Sequence, residues 1–179
     1  MSASCLDLLD HLHGSVSVVG SMNVDYTVVT ERLPKPGETV NGGPLTLLPG
    51  GKSANQASAA ARIGAQVRMF GAVGEDANAA FLLEHLRDAG VDTSHIAAVA
   101  GPSGTTVITV DANGENTIVY SAGSNGEVSV DYVRQSSDAL VAADVLGLCL
   151  ESPMETVTAC ARLCMMPAQG IAQRFAIRC

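Results

Sequence analysis

Positive charge is what this sequence has least of: Lys and Arg number 10 against 18 Asp and Glu, leaving a net charge of −8. An acidic surface repels a phosphate backbone, and no Lys/Arg cluster rises above it, so nucleic acid is not expected as a partner. Long apolar runs are missing too. None approaches the ~20 residues of a bilayer-spanning helix, so no membrane partner is expected. The opening MSASCLDLLDHLHG carries Asp7 and Asp10 and no basic stretch, which does not fit a secretory leader. A cytoplasmic protein is the expectation. Cysteines are few and irregular: Cys5, Cys149, Cys160, Cys164 and Cys179. An odd number without regular spacing argues against a disulfide framework. Cys149, Cys160 and Cys164 have metal-ligand chemistry, but buried free thiols are the simpler reading. His11 and His13 flank Leu12 and read as a solvated face of a short N-terminal helix.

What is present is the makings of a globular core: 179 residues, 47% apolar and only 16% charged. VSVVG (16–20), YTVVT (26–30), QVRMFGAVG (66–74), HIAAVA (95–100) and DVLGLCL (144–150) read as strands. SANQASAAARIGA (53–65), with Ser53 as cap and Gly64 as stop, reads as a helix, and so does ANAAFLLEHLRDA (77–89) before Gly90. SVDYVRQSSDALVAA (129–143) and SPMETVTACARLC (152–164) are two further helices. Two hairpins are predicted, ETVN with PLTLL around Asn41-Gly42-Gly43, and TTVITV with NTIVYS around DANGE. Strands alternating with helices predict an α/β fold with a parallel sheet flanked by helices. The hairpins do not fit that sheet's interior and form a small β-lid.

Gly51-Lys52-Ser53 before a helix resembles the end of a phosphate-binding loop. A Walker loop, however, needs a glycine five residues before Gly51, and that position is Thr46. The phosphate-cradle reading fails. There remains a helix start preceded by two permissive glycines, with Lys52 and Asn55 beside it. Asn23 and Asp25 lie two apart, on one side of an extended segment just past the first strand. Ligands of open α/β sheets bind beyond strand C-termini. An acceptor carboxylate with amide and ammonium donors suits an uncharged polyol, whereas Asp25 would repel phosphate. The bland alternative makes Asp25 a turn residue and Lys52 a solvated neighbour of the cap.

GSMNVD (20–25), LPKPGETV (33–40), GGKSANQASAAARIGAQV (50–67), GAVGED (71–76), SGTTVITVDANGENTIVYSAGSN (103–125) and LESP (150–153) together resemble the ribokinase-like, or PfkB, carbohydrate kinase family. The likeness is colinear from about residue 16 to 163. It implies a ribokinase-like parallel sheet with a lid (about 24–48 and 104–121), and a homodimer formed through that lid. It also implies ATP-dependent phosphorylation of the 5-hydroxyl of D-ribose, with Mg²⁺ and a monovalent cation, K⁺. On matching positions, the resemblance makes Asn23, Asp25, Gly51, Lys52, Asn55 and Glu151 sugar-contacting residues; Val24, Ser53 and Ala54 are carried with their motifs. Another PfkB sugar or nucleoside kinase, or a non-catalytic sugar-binding or dimerising fragment, are the alternatives.

This sequence departs from the family pattern at Ser53, where glycine is usual, at Cys149 for a glutamine, at Ser124 for an alanine, and at Asn78-Ala79 for Phe-Gly. The resemblance implies three elements not found in these 179 residues: an Asn-x-x-Glu element, a nucleotide pocket and a Gly-Ala-Gly-Asp motif with the catalytic aspartate. Phosphoryl transfer depends on neutralising charge at the γ-phosphate, so no kinase activity is expected of this chain alone. Residues 1–15 read as an N-terminal extension and 164–179 as an aberrant tail without the next strand. The parallel sheet is then expected to end at an exposed edge near residue 150. If the Cys164 codon ends in C, moving the frame back one base turns C-ATG-ATG-CC into His, Asp and Ala codons. A frameshift or gene-model error near residue 164 is the expected origin of the tail.

Overall fold

β-Branched and apolar runs become the strands of two separate sheets. The computed structural model describes residues 14–165 and the backbone of 174–178. In chain order these are β1 (Ser15–Val19), β2 (Asn23–Val29), β3 (Thr46–Gly50), α1 (Lys52–Arg62), β4 (Gln66–Val73), α2 (Ala77–Asp88) and β5 (Asp92–Ala98). There follow β6 (Thr105–Val110), β7 (Asn116–Ser121), a 3₁₀ turn (Gly123–Glu127), α3 (Val130–Gln135), α4 (Ser137–Val141), β8 (Val145–Cys149), α5 (Met154–Met165) and β9 (Arg174–Arg178). The N-terminal extension through His13, with Cys5, His11 and His13, and Cys179 in the tail lie outside the described residues.

The larger sheet is parallel, in the order β5-β4-β1-β8-β9. Its two faces are covered, as a parallel sheet requires. Along β4, Val67 and Met69 point into a core shared with Ala54 and Ala57 of α1 and Leu82 and Leu86 of α2. The alternate residues Phe70 and Ala72 point the other way, into a core with Val133, Leu140, Val157 and Cys160 of α3, α4 and α5. Burying a side chain such as Leu or Phe contributes about 1.5–3 kcal/mol each, so these two layers hold the domain together.

The smaller sheet, in the order β3-β2-β6-β7, is the lid. β6 and β7 form the expected hairpin, with Asp111 Oδ1 accepting from the backbone N of Asn113 at 2.8 Å and of Glu115 at 3.0 Å. The other hairpin is not the local one expected. β3 pairs antiparallel with β2, Asn23 opposite Gly50, across a long connection. Asn41-Gly42-Gly43 instead lies along the end of β2, where Gly43 N donates to Val29 O at 2.8 Å. A Cβ on Gly42 would come within 2.4 Å of the Val28 side chain, so this glycine serves a close approach rather than a turn.

Three further expectations change. Ser53 is not the cap of α1: Gly51 holds that position, and Ser53 is fully buried in the first turn, its Oγ donating to Val19 O at 3.4 Å. The helix expected over 129–143 is two, broken at Ser136, whose φ of −95° and ψ of 2° leave the helical region. The sheet does not end at β8. β9 adds in parallel, Val145 opposite Arg174 to Cys149 opposite Arg178, and satisfies backbone groups that an open edge would expose.

Candidate functional site

The first strand of the larger sheet sits between β4 and β8, and the chain leaves its end for the lid. Strand neighbours that lie on opposite sides open a crevice at the carboxyl ends, where α/β proteins bind ligands. Here the crevice is a cleft of about 290 Å³ lined by Asn23, Asp25, Gly51, Lys52, Asn55, Thr106, Ile108, Ile118, Tyr120 and Glu151.

Each wall has a local cause. Asn23 and Asp25 alternate on β2 and so share its cleft face. Lys52 and Asn55 project from the first turn of α1. That helix can start beneath the cleft only because Gly51 takes φ 94°; a Cβ there would lie 2.6 Å from Ser21 O and 2.9 Å from Met22 Cα. Gly50 is bare for a similar reason, since its Cβ would fall 2.2 Å from Asp25 Oδ2. Glu151 arrives on the loop after β8.

The charged and polar groups of the cleft hydrogen-bond to one another and to their neighbours. Lys52 Nζ donates to Glu151 Oε1, and Ser21 Oγ donates to Glu151 Oε2 at 2.7 Å. Partial burial acts to raise the Glu151 carboxyl, but the hydrogen bonds from Lys52 and Ser21 and the ammonium charge bring it below its ordinary value. The same hydrogen bond from the other side raises the Lys52 ammonium. Burial pushes the Tyr120 phenol up. Thr106 Oγ1 donates to Asp25 Oδ1, and Asn125 Nδ2 donates to Asn23 Oδ1 at 2.8 Å. Lys52 and Asn55 thus present donors, Asp25 and Glu151 acceptors, within one hollow.

Of the residues expected here, Asn23, Asp25, Gly51, Lys52, Asn55 and Glu151 are brought together at the cleft. Val24, Ser53 and Ala54 are not. Val24 is on the opposite face of β2 and completely buried, Ser53 is turned onto Val19, and Ala54 belongs to the core and to the wall of a second hollow behind α1. Period and helix geometry turn neighbours of a contact residue away from it.

The lid's share of the cleft, Thr106, Ile108, Ile118 and Tyr120, escaped sequence reading, as did the buried Asn125. The alternation in TTVITV and NTIVYS carries a signal for the first four, but only the register Asp25–Thr106–Tyr120 across three strands aims them at Asp25.

The positions that depart from the family pattern have structural roles. Ser124 Oγ donates to Ala72 O at 2.9 Å, Asn78 Oδ1 accepts from Tyr26 of the lid at 2.9 Å, and Cys149 is buried. Cys160 is buried as well and its thiol is pushed up to about 12 by desolvation. Among the described residues no group of three or more His, Cys, Asp or Glu side chains is placed to hold a metal ion. None of the described helices is long and apolar enough to cross a membrane.

GAVGED holds the lid's stem. Asp76 caps α2 by accepting from Ala79 N at 2.9 Å, and it also accepts from Ser103 N at 2.8 Å and Ser103 Oγ at 2.7 Å. One carboxylate ties a helix start to the segment leading into β6.

Residues 14–166 match the pfkB family carbohydrate kinases. The chain is 37% identical over 150 residues to a ribokinase of Bacillus subtilis, covering 84% of this chain and 51% of that relative. It spans about half the length of the curated relatives it matches. A ribokinase structure from Thermotoga maritima superposes with a TM-score of 0.78 at 33% identity, over 88% of this chain and 55% of the other. An Arabidopsis thaliana ribokinase complexed with ribose and ATP superposes with a TM-score of 0.71 at 29% identity, over 93% and 53%. The family match spans residues 14–166 and a relative at 37% identity covers 84% of the chain, so the chain belongs to the pfkB family of carbohydrate kinases.

Proposed function

We propose that this chain forms the sugar-binding half of a ribokinase-type carbohydrate kinase, which phosphorylates D-ribose at its 5-hydroxyl at the expense of ATP. The observation that carries the reading is the convergence of Asn23, Asp25, Lys52, Asn55 and Glu151 on one cleft beside the lid. Hydrogen bonds to charged groups contribute about 1.5–3 kcal/mol each, so four or five of them around one neutral sugar suffice for specific recognition. The ribokinase relatives and the ribose-bound neighbour support ribose as the sugar.

In this reading ATP supplies the phosphoryl group and Mg²⁺ and K⁺ assist the complete enzyme, but neither ion is assigned to a residue of this chain. The chain's own residues bind and orient the sugar. The catalytic aspartate and the nucleotide pocket are not among them, so the isolated chain binds ribose without turning it over. Dimerisation through the lid is part of the same proposal. Val107 and Val119 on one lid face are 54% and 69% exposed, and a second copy would cover them.

Isothermal titration calorimetry of the purified chain with D-ribose, beside an ADP-release assay with ATP, Mg²⁺ and K⁺, tests the reading. Saturable ribose binding without ADP release is expected. No ribose binding rejects the sugar-site reading, and ribose-dependent ADP release rejects the division of labour.

A further inference from the structure

Each of the cleft's two β2 residues is held by a neighbour: Asn23 by Asn125, which is not among the residues lining the cleft, and Asp25 by Thr106, which is. Asn125 is 2% exposed and hangs between β2 and the turn after β7. Its Oδ1 accepts from Met22 N at 3.0 Å. A backbone N–H can only donate, so this bond fixes which end of the Asn125 amide is oxygen. Its Nδ2 then donates both to Met22 O at 3.1 Å and to Asn23 Oδ1 at 2.8 Å. Two amide NH₂ groups cannot face each other, so Asn23 must present its oxygen to Asn125. Its own Nδ2 is left without a protein acceptor among the described residues. Gly104 leaves the space for this contact: a Cβ there would lie 2.0 Å from Asn125 Nδ2 and 2.4 Å from Asn23 Oδ1.

Asp25 is fixed by a different device. An ionised carboxylate only accepts, so the Thr106 hydroxyl spends its proton on Asp25 Oδ1. Oδ2, over bare Gly50, has no protein donor among the described residues.

We infer that Asn125 and Thr106 are positioning residues that set opposite hydrogen-bonding polarities on β2, a donor at Asn23 and an acceptor at Asp25, so that the site reads two neighbouring sugar hydroxyls in opposite senses. This rests on the sugar-site reading above. A hydroxyl satisfies either partner, because it both donates and accepts. Fluorine in its place accepts weakly and cannot donate. It is therefore tolerated opposite the Asn23 amide and rejected opposite the Asp25 carboxylate.

The test is calorimetry on the full chain with D-ribose, 2-deoxy-2-fluoro-D-ribose and 3-deoxy-3-fluoro-D-ribose. One fluoro sugar is expected to bind within about threefold of D-ribose and the other about tenfold or more weakly, the loss of roughly one hydrogen bond. N125D, which can no longer donate to Asn23, is expected to abolish tolerance of the favoured fluoro sugar. T106V is expected to weaken D-ribose binding and T106S to restore it. Should N125D fail to fold, the unmodified chain with the two analogues and the Thr106 pair still decide. Equal response to both fluoro sugars, or T106V binding ribose like the unmodified chain, overturns the inference while leaving the sugar site standing. Absence of D-ribose binding overturns both.

Discussion

Lys52 and Glu151, 99 residues apart in sequence, meet as an ion pair at the floor of the cleft, with Ser21 holding the second carboxylate oxygen at 2.7 Å. The pair joins the start of α1 to the loop after β8 and so brackets the cleft from two elements that share no local sequence. The Lys52 side chain is 54% exposed and that of Glu151 is 29% exposed. A pair so open to water contributes only about 0–1 kcal/mol to folding. In the proposed sugar site, its value lies in presenting both groups to the ligand.

K52M should therefore separate binding from stability. D-ribose affinity is expected to fall by about tenfold or more, from loss of a charge-assisted hydrogen bond, while the denaturation midpoint barely moves. Calorimetry and urea titration of the same preparation check this. A large loss of stability would show the lysine to be structural.

The pair also has a pH signature. The folded-state pKa of Glu151 lies below its ordinary value of 4.5, so its contribution is present above that pH and is lost as pH falls through the lower, folded value. Asp76, lowered from 3.8 by the Ser103 and backbone hydrogen bonds although burial opposes them, acts in the same direction. Thermal melts should decline below about pH 4.5. E151Q should shallow that decline without changing the melt at pH 7 by more than about 1 kcal/mol.

Asp76 should matter more to folding than any cleft residue. D76A removes the α2 cap and leaves Ser103 N and Oγ without their acceptor; a cost of about 2–4 kcal/mol is expected. S103A should cost less, about 1–2 kcal/mol, because Asp76 keeps its other donors and only the buried Gly74 N loses its acceptor, Ser103 Oγ at 3.0 Å. Chemical denaturation of the two variants checks the order, and equal effects would contradict it.

Gly51 should tolerate no side chain. G51A combines a positive φ with a Cβ 2.6 Å from Ser21 O, so α1 must shift or start later. About 1–3 kcal/mol of destabilisation is expected, together with loss of D-ribose binding. G64A, at a similar φ of 99° but with open space around it, should lose some stability and keep sugar binding.

The sequence by itself determined the elements and much of the site. The continuous apolar run MFGAV in QVRMFGAV marks a strand with two buried faces, the glycines at 64 and 90 stop α1 and α2, and the spacing of Asn23 and Asp25 puts both on one side of β2. These are local consequences of backbone period and steric freedom, so short stretches suffice to read them. Tertiary structure alone decided the rest. Whether Thr46–Gly50 pairs with its neighbour or with Asn23–Thr27, whether Ser53 faces ligand or Val19, and that Asn125 reaches Asn23 across 102 residues all depend on which surfaces meet. Those choices are made by packing and by satisfying buried polar groups between distant segments, and no local pattern records them.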